Sequence, residues 1–363
     1  MDFDITTNTI FLTLTGSRVY GTSTPESDYD YRGVAIPPEI YFLGYGHKFD
    51  QHESSSPHDS VVYGFNKFLK LAVDNNPNIL ELLYIEPRFW VTTSLAWERL
   101  VQHRDWFLST KCYHTFRGYA AAQLKRVRSH RAWLLQGELQ EPKREDFGLP
   151  ANLSIPRENM EAADELARRF LGQHDIEEDL AALAQHDKPM ATAFRQRLHE
   201  FIEIATGLPQ NENEARCWTA AAQQLGYDAN FLDLLQREKQ YRQAKRHYES
   251  WLHWKAERNE KRKIIEAKCG FDAKFVSHVY RLMYSCREIL QNGTLTVTRP
   301  EAPFLREILD GHFTFEELEQ QYKTLEQEID SLYAVTTLQH QPRRREIEDL
   351  GVEIARSYLA DRK

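Results

Sequence analysis

What this chain has little of narrows it first. Four cysteines occur in 363 residues, Cys112, Cys217, Cys269 and Cys286, and no two stand in a CxxC pair. That spacing excludes a zinc site built on paired thiolates and leads us to expect buried free thiols in a reducing compartment. No apolar run reaches the roughly 20 residues of a membrane-spanning helix. The opening MDFDITTNTIFLTLT has no basic segment of the secretory kind. The expectation is a cytoplasmic protein without a membrane partner. A surplus of positive charge is missing too: 46 Lys and Arg stand against 54 Asp and Glu, a formal net charge of −8. This excludes binding nucleic acid by bulk charge and leaves room only for a local basic face. Internal repeats and low-complexity tracts are absent. What is there is ordinary globular material, 41% hydrophobic and 28% charged, long enough for two domains.

Up to about Ile85 short β-rich runs surround one helical stretch. Strands are expected at Thr9–Leu14, Asp28–Ile36 and Asp59–Gly64, the last two separated by the polar loop HKFDQHESSSPHD. Phe65, Phe68, Leu69 and Ala72 recur at helical spacing, and Asn75, Asn76 and Pro77 end that helix before the apolar NILELLYI. Beyond Leu95 helices are predicted over Leu95–Leu108, Tyr113–Gln136, Glu158–Leu171, Ala191–Thr206, Ala215–Leu225 and Phe231–Ala267. Another follows CGFDAK, and a further one opens on the capping box Thr314 with Glu317. Asn292–Pro300 alone interrupts them with a strand-like pattern. The fold class is α+β: a small mixed-sheet head over 1–95, then a large, mostly helical body over 96–363. A Pro- and charge-rich loop at 137–157 is a candidate hinge, and helix 271–291 is a candidate to face nucleotide or acceptor.

One stretch of the head carries chemistry: TGSRVYGTSTPESDYDYRGVAIP, Thr15 to Pro37. Asp28 and Asp30, at i and i+2 of a strand, share a face, with Tyr29 and Tyr31 turned the other way. Two such carboxylates repel unless a cation neutralises them, and oxygen ligands of this kind suit Mg²⁺, or Mn²⁺ in its place. The Gly16–Ser17 turn lets main-chain N–H groups approach an anion, with the Ser17 hydroxyl as a further donor. Together these describe a nucleoside-triphosphate site. The plain alternative is a simple turn followed by a solvated strand edge. Arg18 either touches the triphosphate or is merely exposed.

Two further patterns are cationic. Lys274, His278 and Arg281 stand at i, i+4 and i+7, one stripe of a helix beside an apolar side, and suit phosphate or an RNA end. The other reading is a solvated face. From Trp106 to Gly137 there is no acidic residue. Arg117, Lys125 and Arg128 fall toward one side there, either to track a nucleic-acid backbone or to pair with acidic segments such as Glu158–Glu165 and Glu177–Asp179.

Gly-Ser, ten residues, then DYD resembles the active-site signature of the polymerase-β nucleotidyltransferase superfamily. The longer GSRVYGTSTPESDYDYRGV is similar to its RNA-repair branch, associated with RNA ligases. FNKFLKLAVDNNPNILELLY resembles that branch's NPxxLELL element. CGFDAKFVSHVYRL resembles its GYDxKxxxHxxRL pattern, with Phe271 where Tyr usually stands. The likeness covers the first 90 residues and roughly 240–310; about 138–235 match nothing.

The resemblance implies a polymerase-β-like head that transfers a nucleotide from an NTP to an acceptor hydroxyl with release of pyrophosphate. It implies metal-assisted catalysis, with Asp28 and Asp30 joined by a third carboxylate on a later strand. Asp59 is the expected third ligand and base; Glu53 and Asp50 compete with it. Gly16, Ser17, Arg18, Lys274, His278 and Arg281 are the expected nucleotide-binding residues. An RNA end, tRNA-like or damaged, is the implied acceptor, and an RNA ligase a conceivable partner. A protein acceptor, or a non-catalytic module binding RNA or a partner, stays open as an alternative.

Overall fold

The computed structural model describes residues 3–149, 151, 229–258 and 260–362. The β-branched and apolar run TIFLTLT forms β1 (Thr9–Thr15), which pairs antiparallel with β2 (Asp30–Ala35). β2 pairs in parallel with β4 (Ser60–Gly64). The short strands β3 (Gln51–Ser54) and β5 (Trp90–Thr92) close the two edges antiparallel to β4 and β1. The five-stranded sheet therefore runs β3-β4-β2-β1-β5. Val34, Ala35 and Ile36 are buried with Ile10 and Phe11, and Phe11 stacks on Trp97 with ring centroids 3.8 Å apart.

Around the sheet lie the short helices α1 (Ile5–Asn8), α2 (Ser17–Tyr20) and α3 (Ile40–Leu43), then α4 (Phe65–Val73), α5 (Pro77–Leu80), α6 (Leu95–Val101) and α7 (Lys111–Gln136). The rest of the chain contributes α8 (Ala229–Glu257), α9 (Glu260–Cys269), α10 (Ala273–Asn292), α11 (Ala302–Leu309), α12 (Phe315–Val335) and α13 (Arg344–Ala360). The expected α+β architecture holds: a mixed sheet with helices first, helices thereafter. Among the described residues no helix is long and apolar enough to cross a membrane.

Two compact units are distinguished, one from 1–136 together with 259–363, the other over 137–258. Position 95 falls inside the first, so the sheet and the C-terminal helices make one body. At its centre is α10, started by Asp272, whose carboxylate accepts from the N–H of Lys274 and of Phe275 at 3.0 and 3.2 Å. Val276, Val279, Leu282, Met283, Cys286 and Ile289 are buried along it, each side chain contributing roughly 1.5–3 kcal/mol of hydrophobic stabilisation. The expected free thiols are there at Cys112 and Cys286, both buried; Cys269 is half-buried. In the second unit the described residues centre on α8, where buried Glu238 takes Arg144 at 2.8 Å and Arg242 at 3.0 Å.

Several expectations are corrected. Asn292–Pro300 is not a strand. The Glu288 carboxylate accepts from the Thr296 N–H and hydroxyl and from Arg299, so this β-branched stretch is held by side chains rather than by a ladder. The helix expected over Leu95–Leu108 ends at Val101 and resumes as a 3₁₀ turn, Arg104–Phe107. Phe231–Ala267 is divided between α8 and α9. The helices expected at Glu158–Leu171, Ala191–Thr206 and Ala215–Leu225, and Cys217, lie outside the described residues.

Candidate functional site

The register of β1 against β2 builds the site. Thr15 lies opposite Asp30, and its hydroxyl donates to the Asp30 carbonyl at 3.2 Å. Gly16, the next residue, therefore sits against the Asp30 side chain. A Cβ at position 16 would come within 2.6 Å of Asp30 Oδ2, and φ is +75° there. Only glycine meets both demands. α2 follows with Gly16 at its N-cap and no side-chain cap. The sequence pattern thus becomes a contact: the turn and the second aspartate of DYD touch.

Asp28 lies just ahead of β2 and is exposed; Asp30, on the strand, is partly buried. Asp59 immediately precedes β4, and its carbonyl accepts from the Tyr31 N–H at 2.8 Å, which fixes it beside β2. Its two competitors are placed elsewhere. Glu53 is on β3, one strand further out, and Asp50 pairs with Lys48 at 2.8 Å. Yet among the described residues no three His, Cys, Asp or Glu side chains gather closely enough to hold a metal ion. The three carboxylates lie at one end of the sheet without forming a closed cage. Such an arrangement fits Mg²⁺, which takes one or two carboxylates and completes its shell with water and substrate phosphates.

Arg18 has a use that differs from triphosphate contact. Its guanidinium donates to the carbonyls of Ser27, Asp28 and Pro25 and lies 3.8 Å from the Tyr29 ring centroid. It holds the loop that delivers Asp28. The far side of that loop is braced by Arg306, which donates to the carbonyls of Thr22 and Ser23 at 3.1 and 2.6 Å.

The expected stripe of three cations on α10 divides into three different roles. Arg281 is buried and forms an ion pair with the equally buried Glu81, which also accepts from the Tyr20 hydroxyl at 3.0 Å. The guanidinium lies 3.9 Å from the Tyr20 ring centroid. Burial pulls its pKa down, but the facing Glu81 carboxylate outweighs this and holds it above the usual value. Tyr20 ends α2, so this trio anchors the Gly16–Ser17 turn from behind, and burial pushes the Tyr20 hydroxyl up to about 12. His278 is not a cation at neutral pH. Burial, then Arg281, Arg32 and Lys274, bring it down to about 3. An Arg281 N–H reaches His278 Nδ1 at 3.0 Å; because arginine only donates, Nδ1 is the acceptor and the proton sits on Nε2. Lys274 alone is an exposed cation.

Arg32 belongs with this group, although the sequence motifs did not single it out. It follows Asp30 at i+2 on one face of β2, continuing the sequence alternation that Asp28 begins, and that period was its only signal. It donates to the Asn78 carbonyl at 3.3 Å and is close enough to depress His278. Glu81 is the carboxylate of the NPxxLELL element and, like Asn76 and Pro77, was expected to be structural. Asn76 and Pro77 are structural: Asn76 caps α5 by accepting from the Asn78 N–H at 3.2 Å, and Pro77 takes its first position.

The basic side of α7 is answered within the molecule. Arg117 pairs with Glu326 at 2.8 Å and Asp330 at 3.3 Å, Arg128 with Glu319 at 2.7 Å, and Arg131 with Glu316 at 2.7 Å. All four acids belong to α12, and their descending order shows that the two helices run antiparallel. The acidic segments expected as partners lie outside the described residues. Lys125 remains exposed.

An uncharacterised 38.9 kDa protein of Enterobacteria phage T4, from its nrdC–mobD intergenic region, is 25% identical to this chain over 337 residues, 89% of this chain and 88% of the phage protein. No solved structure matches. Residues 3–141, which hold the whole sheet, the Gly16–Ser17 turn and Asp28, Asp30 and Asp59, match the model of RlaP, the RNA repair pathway DNA polymerase beta family, so this N-terminal region is similar to a polymerase-β-like RNA-repair family.

Proposed function

We propose that this protein is a Mg²⁺-dependent nucleotidyltransferase that adds a nucleotide from an NTP to the hydroxyl of an RNA end. The observation that carries this is the contact of Gly16 with the Asp30 carboxylate, which brings together the turn expected to take phosphate and the strand expected to take metal. The match to a polymerase-β-like repair family supports the same chemistry. Asp28 and Asp30 would hold Mg²⁺ (or Mn²⁺) jointly with phosphate oxygens of the substrate. When bound, the ion neutralises triphosphate charge.

The acceptor oxygen bonds to the α-phosphorus while the bond from that phosphorus to the oxygen bridging to the β-phosphate breaks, and pyrophosphate leaves. Asp59, exposed at the same end of the sheet, takes the hydroxyl proton. Gly16 and Ser17 receive phosphate oxygens. Arg32, Lys274 and the Nε2–H of His278 stabilise charge gathering on the leaving pyrophosphate. Arg281 acts through Glu81 and Tyr20 by positioning the turn, and Arg18 by positioning Asp28.

The test is transfer of α-labelled NTPs, each in turn with Mg²⁺ or Mn²⁺, to total RNA and to cell lysate. An Asp28→Ala/Asp30→Ala protein is the control. Label on RNA that disappears in the double variant supports the reading and names the nucleotide. Label on a protein keeps the chemistry and replaces the acceptor. Absence of label with every nucleotide, despite NTP binding, overturns the enzymatic reading.

A further inference from the structure

Behind the two aspartates stands an aromatic group that the reaction outlined above leaves unused. Tyr29, between Asp28 and Asp30, is 43% exposed, a large value for a tyrosine with a guanidinium already against it. His58 lies immediately before Asp59. Its ring centroid is 5.7 Å from that of Tyr29 and 5.8 Å from that of Tyr31. With Arg18 lying 3.8 Å from the Tyr29 centroid, three rings and one planar cation cluster at the end of the sheet that carries the three carboxylates, the two tyrosine rings tilted by 46° and 48° to His58. Packing alone does not account for it, since Tyr29 and His58 are exposed at loop positions and contribute nothing to the buried core.

The sheet order says what this surface faces. β2 lies between β1 and β4, so Gly16 flanks Asp30 on one side and Asp59 flanks it on the other. In an in-line displacement the attacking and leaving oxygens stand on opposite sides of the phosphorus. With a triphosphate seated on the Gly16 turn and its pyrophosphate toward the β1 side, the acceptor approaches from the β4 side, past His58 and the tyrosines its ring contacts. An RNA strand on that path presents unpaired bases, whose flat faces stack on aromatic rings irrespective of sequence.

We infer that Tyr29, Tyr31 and His58, backed by Arg18, form a stacking platform for the unpaired 3′-terminal bases of a single-stranded RNA acceptor. The inference rests on the nucleotidyl-transfer reading for its geometry, but it predicts binding separately from transfer. The full chain is titrated against a fluorescently labelled single-stranded RNA oligonucleotide at fixed salt, and NTP affinity is measured in parallel. Tyr29→Leu, which keeps bulk and removes the π face, is expected to weaken RNA binding about tenfold, and His58→Ala to weaken it less. Tyr29→Phe should bind as the parent does, and NTP affinity should stay unchanged in each of these Tyr29 and His58 variants. Asp28→Asn/Asp30→Asn should lose transfer while keeping RNA affinity. If the parent protein transfers nothing yet binds RNA through Tyr29, the platform stands and the enzymatic reading falls. Unchanged RNA binding in Tyr29→Leu overturns the platform. So does a loss confined to NTP affinity, which would assign the rings to the base of the nucleotide, or an acceptor that proves to be a protein.

Discussion

The cations on α7 and those gathered near Arg32 stand in opposite electrostatic circumstances. On α7 the charge density is conspicuous in the sequence, yet Arg117, Arg128 and Arg131 each meet a carboxylate of α12. Near Asp30 the charges are few and scattered over the chain, yet Arg32 and Lys274 form no ion pair among the described residues, and His278 offers an N–H where a cation was expected. Local density of Lys and Arg thus identified a helix–helix seam. Arg32 and Lys274, without an acidic partner among the described residues, are the cations left for the phosphates of the proposed reaction.

The largest effect separating the two sets should come from the buried pair that supports the second one. Removing Glu81 strands the Arg281 charge in the interior, so Glu81→Ala is expected to destabilise the protein by about 3–5 kcal/mol, read from chemical denaturation. Replacing both partners by apolar residues, Glu81→Leu with Arg281→Met, should recover most of that stability. The double variant would still lack transfer activity, because Tyr20 and the turn it ends lose their anchor. Recovery of activity along with stability would show that the trio merely fills space.

Next in size is Arg32. Arg32→Ala should lower kcat/KM for the NTP by about 10- to 100-fold, the range of a lost hydrogen bond to a charged group. Arg32→Lys should recover part of it. An unchanged value would remove Arg32 from the phosphate site and return its role to bonding the Asn78 carbonyl.

The same contrast shows which features a sequence can disclose. The spacing of Gly16, Asp28 and Asp30 was legible because one hairpin register turns it into a contact, and the capping box at Thr314 because it is local. α4 was legible from Phe65, Phe68 and Ala72 at helical spacing. The edge strand β3 was hidden by its polar sequence QHES, since an edge exposed on both faces needs no apolar alternation. β5 is too short to show any period. In α13, Ile347, Leu350 and Ile354 do stand at helical spacing, a signal present in the sequence though outside the motif-led reading. The pairing of Glu81 with Arg281, 200 positions apart, was out of reach of pattern reading. So was the identity of the carboxylates opposite α7: charge spacing says that a face is basic, and tertiary packing decides what meets it.

His278 sharpens the comparison by pH. Its pKa falls from 6.5 when unfolded to about 3 in the fold, with burial the leading cause. Between those values the unfolded chain binds a proton that the folded one refuses. Stability therefore rises with pH across this window and is lost progressively as pH falls through it. Urea midpoints across the window should have a shallower pH slope in His278→Gln than in the parent. Near neutral pH, by contrast, the transfer rate should show no ionisation attributable to His278. An activity limb near 6.5 that vanishes in His278→Gln would mean the imidazole is open to water and charged.

The smallest effects belong to α7. Arg117 and Arg128 pair with acids across a partly solvated seam, where each ion pair is worth about 0–1 kcal/mol. Arg117→Ala and Arg128→Ala should each lower stability within that range, less so at high salt, and leave RNA affinity and its salt dependence unaltered. Lys125, exposed beside them, serves as the internal control, because a helix tracking a phosphate backbone would lose affinity at all three positions together. A reduced salt slope shared by the three variants would mean that RNA displaces the α12 carboxylates and that the seam opens on binding. Stability changes without any change in RNA affinity would leave the seam as packing, and the acceptor to the rings beside Asp59.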